Sequence, residues 1–290
     1  MEKFELVLAK LSDDNTSGSE ELLSRALDYL RAIVEDPELE GEKFEKALSR
    51  LPETIQDNFA EIAPLATLAE RIREISGDNL KGKVAEIEEE LRGKRSEQVK
   101  SIASIGESLI GENVTVSTIS RSGTVLELLA RARAAGRDFH VIASVGEPAR
   151  EGLLMAKDLA EKGIEVTLVP DSAAGFAAAH SGIVFVGADA VTPEFFVNKI
   201  GTLPLALAAS HSGVPFYVCS RLAKFYPREK LPSAVKVISA RELGASDAEL
   251  ISSGAPLFER IPNSLVTGIV TEGGIVKPER GKIEVYEEDR

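Results

Sequence analysis

The sequence contains few of the residues that cross-link a fold or bind a metal. Its single cysteine, Cys219, excludes an internal disulfide and a cysteine-based zinc site. Its three histidines, His140, His180 and His211, lie far apart and show no metal-ligand spacing. We therefore expect no metal, and we interpret each histidine as a strand-end or helix-surface residue.

The sequence also lacks a long hydrophobic run. No apolar stretch approaches the roughly 20 residues that a membrane-spanning helix needs. The first five residues, Met-Glu-Lys-Phe-Glu, are charged and do not resemble the apolar part of a signal peptide. We therefore expect a cytoplasmic protein with no membrane partner.

The net charge and the absence of nucleotide-binding motifs argue against two further classes of function. A net charge of -13 argues against broad binding to a phosphate backbone, so we expect no direct nucleic-acid partner. A local basic pocket is compatible with that charge. No G-x-G-x-x-G fingerprint follows the first predicted strand and no Walker sequence is present, so no nicotinamide dinucleotide or other cofactor is predicted.

The first part of the chain is predicted to be helical. From residue 13 to residue 110, apolar residues recur at helical spacing, and no alternating β-branched run appears. One helix is predicted over residues 43–51, before Pro52, and Pro64 predicts a kink or break. The many Glu and Lys side chains of this region are most simply a solvated face.

The start and end of the first long helix have their own signals. Residues 17–20 (Ser-Gly-Ser-Glu) match a capping box, in which Ser17 accepts from an orphan amide and Glu20 reaches back to the helix start. Asp36 followed by Pro37 predicts the end of this helix.

The pattern changes at residue 111, where predicted strands begin to alternate with helices. This alternation is typical of an α/β fold with a doubly wound parallel sheet. We therefore predict an all-α domain over residues 1–110 and a Rossmann-like domain over residues 111–290. The strands are predicted at residues 114–119, 139–143, 164–169, 183–186 and 214–218, with a further strand-like run at 265–270.

The loop after the first predicted strand could bind an anion. Ser122, Gly123 and Thr124 lie at the start of a predicted helix, where backbone amides and the helix dipole favour negative charge. The alternative is an ordinary capped helix start, which is the commoner use of Ser and Thr at such a position.

A carboxylate and an amine follow the fourth predicted strand. Asp189 comes just after the apolar run 183–186, and Asn198 and Lys199 come about ten residues later. In open α/β sheets ligands bind at the carboxyl ends of strands, so this pair would suit a polar, anionic small ligand. The alternative is that Asp189 caps a turn and Lys199 is a solvated surface lysine. Spacing alone favours that alternative.

Several motifs in the second half of the chain resemble one protein family. They are residues 187–189 (Gly-Ala-Asp), 198–202 (Asn-Lys-Ile-Gly-Thr), 215–218 (Pro-Phe-Tyr-Val), 224–225 (Lys-Phe) and the ending 258–274, with 16–18 (Thr-Ser-Gly) before the first long helix. The sequence resembles the family of initiation factor 2B α, β and δ subunits. That family also contains methylthioribose-1-phosphate isomerase and ribose-1,5-bisphosphate isomerase.

The resemblance implies an architecture and a mode of assembly. It implies a helical N-terminal domain on a Rossmann-like domain, with dimers formed through the latter. We therefore predict a homodimer, or pairing with a related subunit, with the helical domains outward.

The departures from the family pattern concern the catalytic loops. Ser120 stands where the isomerases have a catalytic cysteine, and Glu147 stands where they have an arginine. A later arginine is replaced by Leu154. Asp189, the acid/base carboxylate of the family, is kept, as are Asn198 and Lys199.

These departures affect the expected chemistry. A serine hydroxyl without a base replaces poorly a thiol whose pKa can approach neutrality. Glu147 places negative charge where a phosphate would be bound, although Arg121 or Arg150 could compensate. By the resemblance, Asp189 and Ser120 occupy the catalytic positions. Residues 121–124, Arg150, Asn198 and Lys199 are candidates for ligand binding.

Two functions and a plainer third remain open. The first is an initiation-factor-2B-like protein that binds a sugar phosphate or nucleotide and acts through oligomer contacts. The alternative is an aldose-ketose isomerase similar to ribose-1,5-bisphosphate isomerase, and the third possibility is a scaffold without a ligand.

The structure can separate these possibilities at named positions. Convergence of Arg121, Arg150 and Lys199 near Asp189 would favour the isomerase, and Glu147 in that pocket would count against it. From the sequence, replacing Lys199 or Asp189 should weaken ligand binding with little effect on folding. Cys219 follows an apolar run and is expected near a strand end, not as a nucleophile.

Overall fold

A computed structural model describes residues 3–14, 17–60, 62–227, 237–245, 251–252 and 254–284. Thr16 of the 16–18 motif lies outside these residues. Each helix within them is too short or too polar to cross a membrane.

Within the described residues five helices precede the first strand, and all but the first of them lie in the region predicted to be helical. They are α1 (Lys3–Ser12), α2 (Ser19–Glu35), α3 (Glu42–Asn58), α4 (Ala63–Glu74) and α5 (Leu80–Glu107). Their buried leucine, isoleucine and phenylalanine side chains form one hydrophobic core. The predicted domain boundary at residue 110 falls between the end of α5 and the next element, and the division into two domains stays a prediction.

The two helical prolines have different effects. The predicted helix end before Pro52 is wrong, because α3 continues through Pro52 to Asn58. Leu51 and Ile55 pack into the core on either side of the buried Pro52, and this packing offsets the hydrogen bond that proline removes. Pro64 lies in the first turn of α4, where its missing N–H would have no partner in the helix.

A seven-stranded sheet forms the second part of the molecule, which confirms the α/β fold class. Its order is β10-β9-β7-β4-β1-β2-β3, and all neighbouring pairs are parallel except the edge pair β9–β10. The strands are β1 (Val114–Thr118), β2 (Phe139–Ser144), β3 (Glu165–Val169), β4 (Ile183–Gly187), β7 (Phe216–Cys219), β9 (Gly268–Thr271) and β10 (Gly274–Val276). The predicted run 265–270 begins in a 3-10 turn and becomes β9 only at Gly268.

Helices cover both faces of this sheet. They are α6 (Gly123–Ala134), α7 (Glu151–Glu161), α8 (Ala174–Ala179) and α9 (Thr202–Ser212). In β4, Ile183 and Phe185 pack in the core formed with α5, α6 and α7, whereas Val184 and Val186 pack in the core formed with α8 and α9. Burial on both faces explains why β4 is a continuous apolar run.

A second, small sheet positions the Asn-Lys pair. It consists of β5 (Ala190–Val191), β6 (Phe195–Lys199) and β8 (Phe258–Pro262), all antiparallel. The sequence analysis did not predict these strands, because they are short and because β8 joins β6 from some 60 residues away. Asn198 and Lys199 are the last two residues of β6.

Candidate functional site

A cavity of about 300 Å³ lies where the helices meet the carboxyl ends of β1 and β4. Residues 17–21 at the start of α2 and Ile62 before α4 form one side of the cavity. The loops that follow β1 and β4 and the end of β6 form much of the other side. The predicted position of a ligand at the carboxyl ends of strands therefore coincides with a real cavity.

The cavity lining is rich in charge of both signs. Its acidic members are Glu20, Glu21, Glu151 and Asp189, and its basic members are Arg95, Arg121, Lys199 and Lys224. The four acidic and four basic side chains balance, so the cavity lining has no formal net charge although the whole chain carries -13.

Ser120, Glu151 and Lys199 form one hydrogen-bonded group. Oγ of Ser120 donates to Oε1 of Glu151 at 3.0 Å, and Nζ of Lys199 donates to the same oxygen at 2.5 Å. The side chains of Lys199 and Glu151 are 3% and 6% exposed. The alternative of a solvated Lys199 is therefore wrong, and its charge is offset inside the protein.

The backbone around Ser120 and Glu151 has two features that bear on this hydrogen-bonded group. Ser120 has a φ of 65° in the turn from β1 to α6, a left-handed conformation that a non-glycine residue adopts at a cost. Glu151 is the first residue of α7, where the helix dipole stabilises a negative charge.

Glu20 is the centre of a second, buried ionic cluster. Its carboxylate accepts hydrogen bonds from Nε of Arg221 at 3.0 Å and from Nε of Arg95 at 2.8 Å. Nζ of Lys224 lies 3.1 Å from the same carboxylate. Burial by itself would raise the pKa of Glu20, but the charges of Lys224, Arg221 and Arg95 outweigh it and hold the pKa far below its ordinary value.

The predicted capping box is therefore wrong. Gly18, not Ser17, is the N-cap of α2, and its position carries no side-chain cap. Glu20 binds three cations instead of the helix start, because charge-assisted hydrogen bonds are stronger than one bond to a backbone amide. The amide of Ser17 donates to Asp14.

The loop that carries Asp189 is held from several sides. The amide of Ala63 donates to the carbonyl oxygen of Asp189, and Nζ of Lys224 donates to that of Ala188. At Gly187 an added Cβ would lie 2.7 Å from Oγ of Ser122, so only glycine permits this approach of the two loops. Asp189 is 7% exposed and lines the cavity.

Residues 122–124 at the start of α6 show features of both structures considered for them, an ordinary capped helix start and a loop at a ligand site. Oγ of Ser122 accepts from the amide of Val125, as in an ordinary capped helix. Ser122 and Gly123 also line the cavity. Thr124 does not line it and is 1% exposed.

The structure brings only part of the predicted site together. Arg121 lines the cavity but is bound to Asp158 and Glu21. Arg150 and Glu147 both lie outside the cavity lining, are more than half exposed and face each other at 3.4 Å. Of the three basic residues whose convergence near Asp189 would favour the isomerase, Arg121 and Lys199 line the cavity and Arg150 does not. Glu147 also lies outside the lining, so it places no negative charge against a ligand in the cavity.

Asn198 is fixed by a local bond. Its Nδ2 donates to Oγ1 of Thr202 at 3.0 Å, and its side chain lines the cavity. The Asn-Lys-Ile-Gly-Thr motif thus places an amide and an ammonium at the end of β6 and ties them to the first turn of α9.

The sequence analysis missed Glu20, Arg95 and Lys224 as site residues. Glu20 was assigned to a helix cap, and Arg95 lies in a helix whose charges were assigned to solvent. Lys224 was noted only as part of a family motif. The periodicity of α2 contained a signal, because Glu20 falls on the same helix face as Leu23 and Leu27, which are buried.

Cys219 ends β7, which confirms its predicted place at a strand end, and the structure shows that it is fully buried. Burial raises the pKa of its thiol well above the ordinary value. We expect the folded protein to show almost no reaction with a thiol reagent such as DTNB at pH 7, whereas the urea-unfolded chain should react fully. Rapid labelling of the folded protein would contradict the assignment of Cys219 as an inert core residue.

Known proteins resemble this chain in sequence and in fold over most of its length. At 32% identity, the chain is similar to a putative translation initiation factor eIF-2B subunit 2-like protein of Pyrococcus furiosus, with 97% of this chain and 99% of the relative covered. It is 31% identical to a ribose 1,5-bisphosphate isomerase of Archaeoglobus fulgidus, with 85% and 81% covered. Its fold matches the crystal structure of the Pyrococcus horikoshii translation initiation factor eIF-2B with a TM-score of 0.83 at 29% identity, over 97% of this chain and 98% of that one.

A family model matches nearly the same span. It covers residues 15–278, which include every residue of the cavity lining. The relatives thus include both eIF-2B-like proteins and isomerases, and the chain belongs to the Initiation factor 2 subunit family.

Proposed function

We propose that this protein binds a phosphorylated metabolite, a sugar phosphate or nucleotide, in the cavity and acts through contacts with other chains. The observation that carries the proposal is a set of cationic side chains at the cavity whose hydrogen-bonding capacity is only partly used. Such donors are suited to a phosphate.

Arg95 illustrates this unused capacity. Its Nε donates to Glu20, and its two terminal nitrogens make no hydrogen bond with the described part of the chain. Its side chain is 23% exposed and lines the cavity. Arg121 similarly uses Nε and Nη1 for carboxylates. These guanidinium groups can bind phosphate without leaving a carboxylate unpaired.

The remaining groups suit the hydroxyls of a sugar. Asp189 is an acceptor for ligand hydroxyls, and Asn198 and Ser120 offer polar atoms beside it. A volume of about 300 Å³ is at the lower end of the range for small-molecule sites. These features favour a compact ligand.

We expect turnover to be absent or very slow. Aldose-ketose isomerisation needs groups that exchange protons on both sides of the reacting carbons. Oγ of Ser120 donates its proton to Oε1 of Glu151, which also accepts from Lys199. This hydroxyl and this carboxylate oxygen are therefore occupied with each other and with Lys199 and are poorly placed to exchange protons with a substrate. Formation of ribulose-1,5-bisphosphate by the pure protein, abolished by Asp189→Asn, would establish the alternative enzyme.

Binding is tested by calorimetry with ribose-1,5-bisphosphate and AMP against ribose and adenosine, which lack phosphate. We expect at least one phosphorylated compound to bind and its phosphate-free counterpart to bind far more weakly. Arg95→Met should weaken that binding roughly tenfold or more, because one charged hydrogen-bond partner is lost. Asp189→Asn should have an effect of similar size.

Lys94→Met is the matched control for Arg95→Met. Lys94 neighbours Arg95 in α5, but its side chain is 68% exposed and pairs with Glu90. Equal effects of the two substitutions, or equal affinity for ribose and its bisphosphate, would contradict binding of phosphate in the cavity. Unfolding curves of both variants show whether Arg95→Met alters folding instead.

A further inference from the structure

Two arginines that retain unused N–H groups meet at the start of α2. Nε of Arg95 donates to Glu20, and Nη1 of Arg121 donates to Glu21. The two side chains are 23% and 27% exposed and line the cavity. Because their carboxylate partners are consecutive residues of one helix, both guanidinium groups are held at the same side of the cavity. We call this side the α2 end, defined by Glu20, Glu21, Arg95 and Arg121.

The opposite side of the cavity presents two carboxylates. The amide of Asp189 donates to the carbonyl oxygen of Val197, which places Asp189 beside the end of β6. The side chain of Lys199, the last residue of β6, is bonded to Glu151 and is 3% exposed. Oε2 of Glu151 is buried and accepts no hydrogen bond from the described residues. We call this side the strand end, defined by Glu151, Asp189, Asn198 and Lys199.

Lys224 lies between the two ends and has no N–H group left for a ligand. Its ammonium donates to Oγ of Ser19 at 2.7 Å and to the carbonyl oxygen of Ala188 at 2.8 Å, and it lies 3.1 Å from Glu20. An ammonium has three N–H groups, so these three partners account for all of them. Lys224 therefore adds no second position for a phosphate.

We propose that the cavity selects a ligand with a single phosphate and an uncharged, hydroxyl-bearing opposite end. The proposal rests on the proposed function and narrows its ligand class. The phosphate lies at the α2 end, where Arg95 and Arg121 donate to it together. The hydroxyl groups lie at the strand end, where they donate to carboxylates. Asp189 is then the residue that determines specificity against a second phosphate.

The distribution of charge explains why a second phosphate is rejected. A phosphate monoester carries about −1.5 to −2 charges at pH 7, and it needs cations when it leaves water. The acidic and basic side chains of the lining already balance, and the unused guanidinium N–H groups are at the α2 end. At the strand end a second phosphate would face Glu151 and Asp189, and like charges placed against each other discriminate against a ligand.

Calorimetry with matched pairs of ligands tests this selectivity. The pairs are ribose 5-phosphate with ribose-1,5-bisphosphate, fructose 6-phosphate with fructose 1,6-bisphosphate, and AMP with adenosine 3′,5′-bisphosphate, all at one ionic strength. In each pair that binds, we expect the native protein to bind the monophosphate about tenfold or more tightly than the bisphosphate. The bisphosphate should still bind more tightly than the phosphate-free compound, because one of its phosphates can occupy the α2 end.

Asp189→Asn should remove most of this preference, a change of roughly tenfold in the ratio of the two affinities, since it removes a charge that faces the second phosphate. Glu147→Gln is the matched control, because it removes the same charge from a side chain that is 54% exposed and outside the cavity lining. It should leave the preference unchanged, as should Arg95→Met, which weakens both ligands of a pair alike. Because the measured quantity is a ratio of affinities, partial loss of folded protein does not alter it.

The outcomes separate selectivity from binding. A native protein that binds a bisphosphate as tightly as its monophosphate overturns the selectivity and leaves phosphate binding standing. The same holds for an Asp189→Asn variant that keeps the native preference, or for a Glu147→Gln variant that changes it equally. If none of the phosphorylated compounds binds, the proposed function fails and the selectivity fails with it.

Discussion

Glu20→Gln should reduce the free energy of unfolding at pH 7 by roughly 3–5 kcal/mol, the cost of breaking a buried ionic network. The substitution removes the carboxylate that Arg221, Lys224 and Arg95 share. The side chains of Arg221 and Lys224 are 5% and 4% exposed, so water replaces the lost partner only incompletely. Urea unfolding of the native protein and the variant measures the difference.

The same substitution should remove a pH dependence of stability. The pKa of Glu20 is held far below its ordinary value of 4.5 in the folded protein. Its stabilising contribution is therefore complete above about pH 4.5 and is lost as the pH falls toward the folded pKa, because the unfolded chain binds the proton first. The stability difference between native and Glu20→Gln protein should be smaller at pH 3 than at pH 7.

Glu21→Gln is the control for this prediction. Glu21 is the next residue of α2 and also binds arginines, but its side chain is 40% exposed. We expect a loss of about 1 kcal/mol or less, as for other exposed ion pairs. If Glu20→Gln were no more damaging than Glu21→Gln, the buried cluster would not have the role assigned to it.

Lys199→Met should destabilise the protein by a similar amount, roughly 3–5 kcal/mol. It leaves the carboxylate of Glu151 buried without its cation. This result would correct the expectation from sequence that Lys199 can be replaced with little effect on folding. The double variant Glu151→Gln/Lys199→Met should recover much of the loss, since it removes both charges.

The double-mutant cycle isolates the pair from other effects of each substitution. Lys157→Met serves as a matched control, because Lys157 and Glu161 form an exposed pair at 3.9 Å. Its effect should stay within about 0.5 kcal/mol. A Lys199→Met variant as stable as Lys157→Met would show that the buried ion pair contributes little.

Much of the fold was predictable because the buried positions of helices and strands are apolar residues that recur at regular spacing in the sequence. Ile183–Gly187 is a strand buried on both faces, and its continuous apolar run is visible without a structure. Val114–Thr118 is rich in β-branched residues, a composition that is typical of strands. The small sheet was not predictable in the same way. Phe195–Lys199 ends in polar residues, and its partner Phe258–Pro262 is distant in sequence.

The candidate site was predictable only for residues whose place along the chain also determines where their side chains lie in the fold. Ser120 and Asp189 follow β1 and β4, so the carboxyl edge of the large sheet gathers them, and Lys199 ends β6 of the small sheet beside the same cavity. Arg150 also follows a strand, yet it begins a helix with a left-handed backbone and its side chain turns outward to Glu147. Neighbourhood along the chain does not determine the direction of a side chain.

The sequence by itself determined the fold class, the family resemblance and the position of a candidate crevice, because these depend on apolar periodicity and short local motifs. Only the tertiary structure decided the partners of the charged groups. Glu20 meets Arg221 across 201 residues and Glu151 meets Lys199 across 48. The physical reason is that the energy of a buried charge depends on what surrounds it in space, and neither composition nor spacing records that environment.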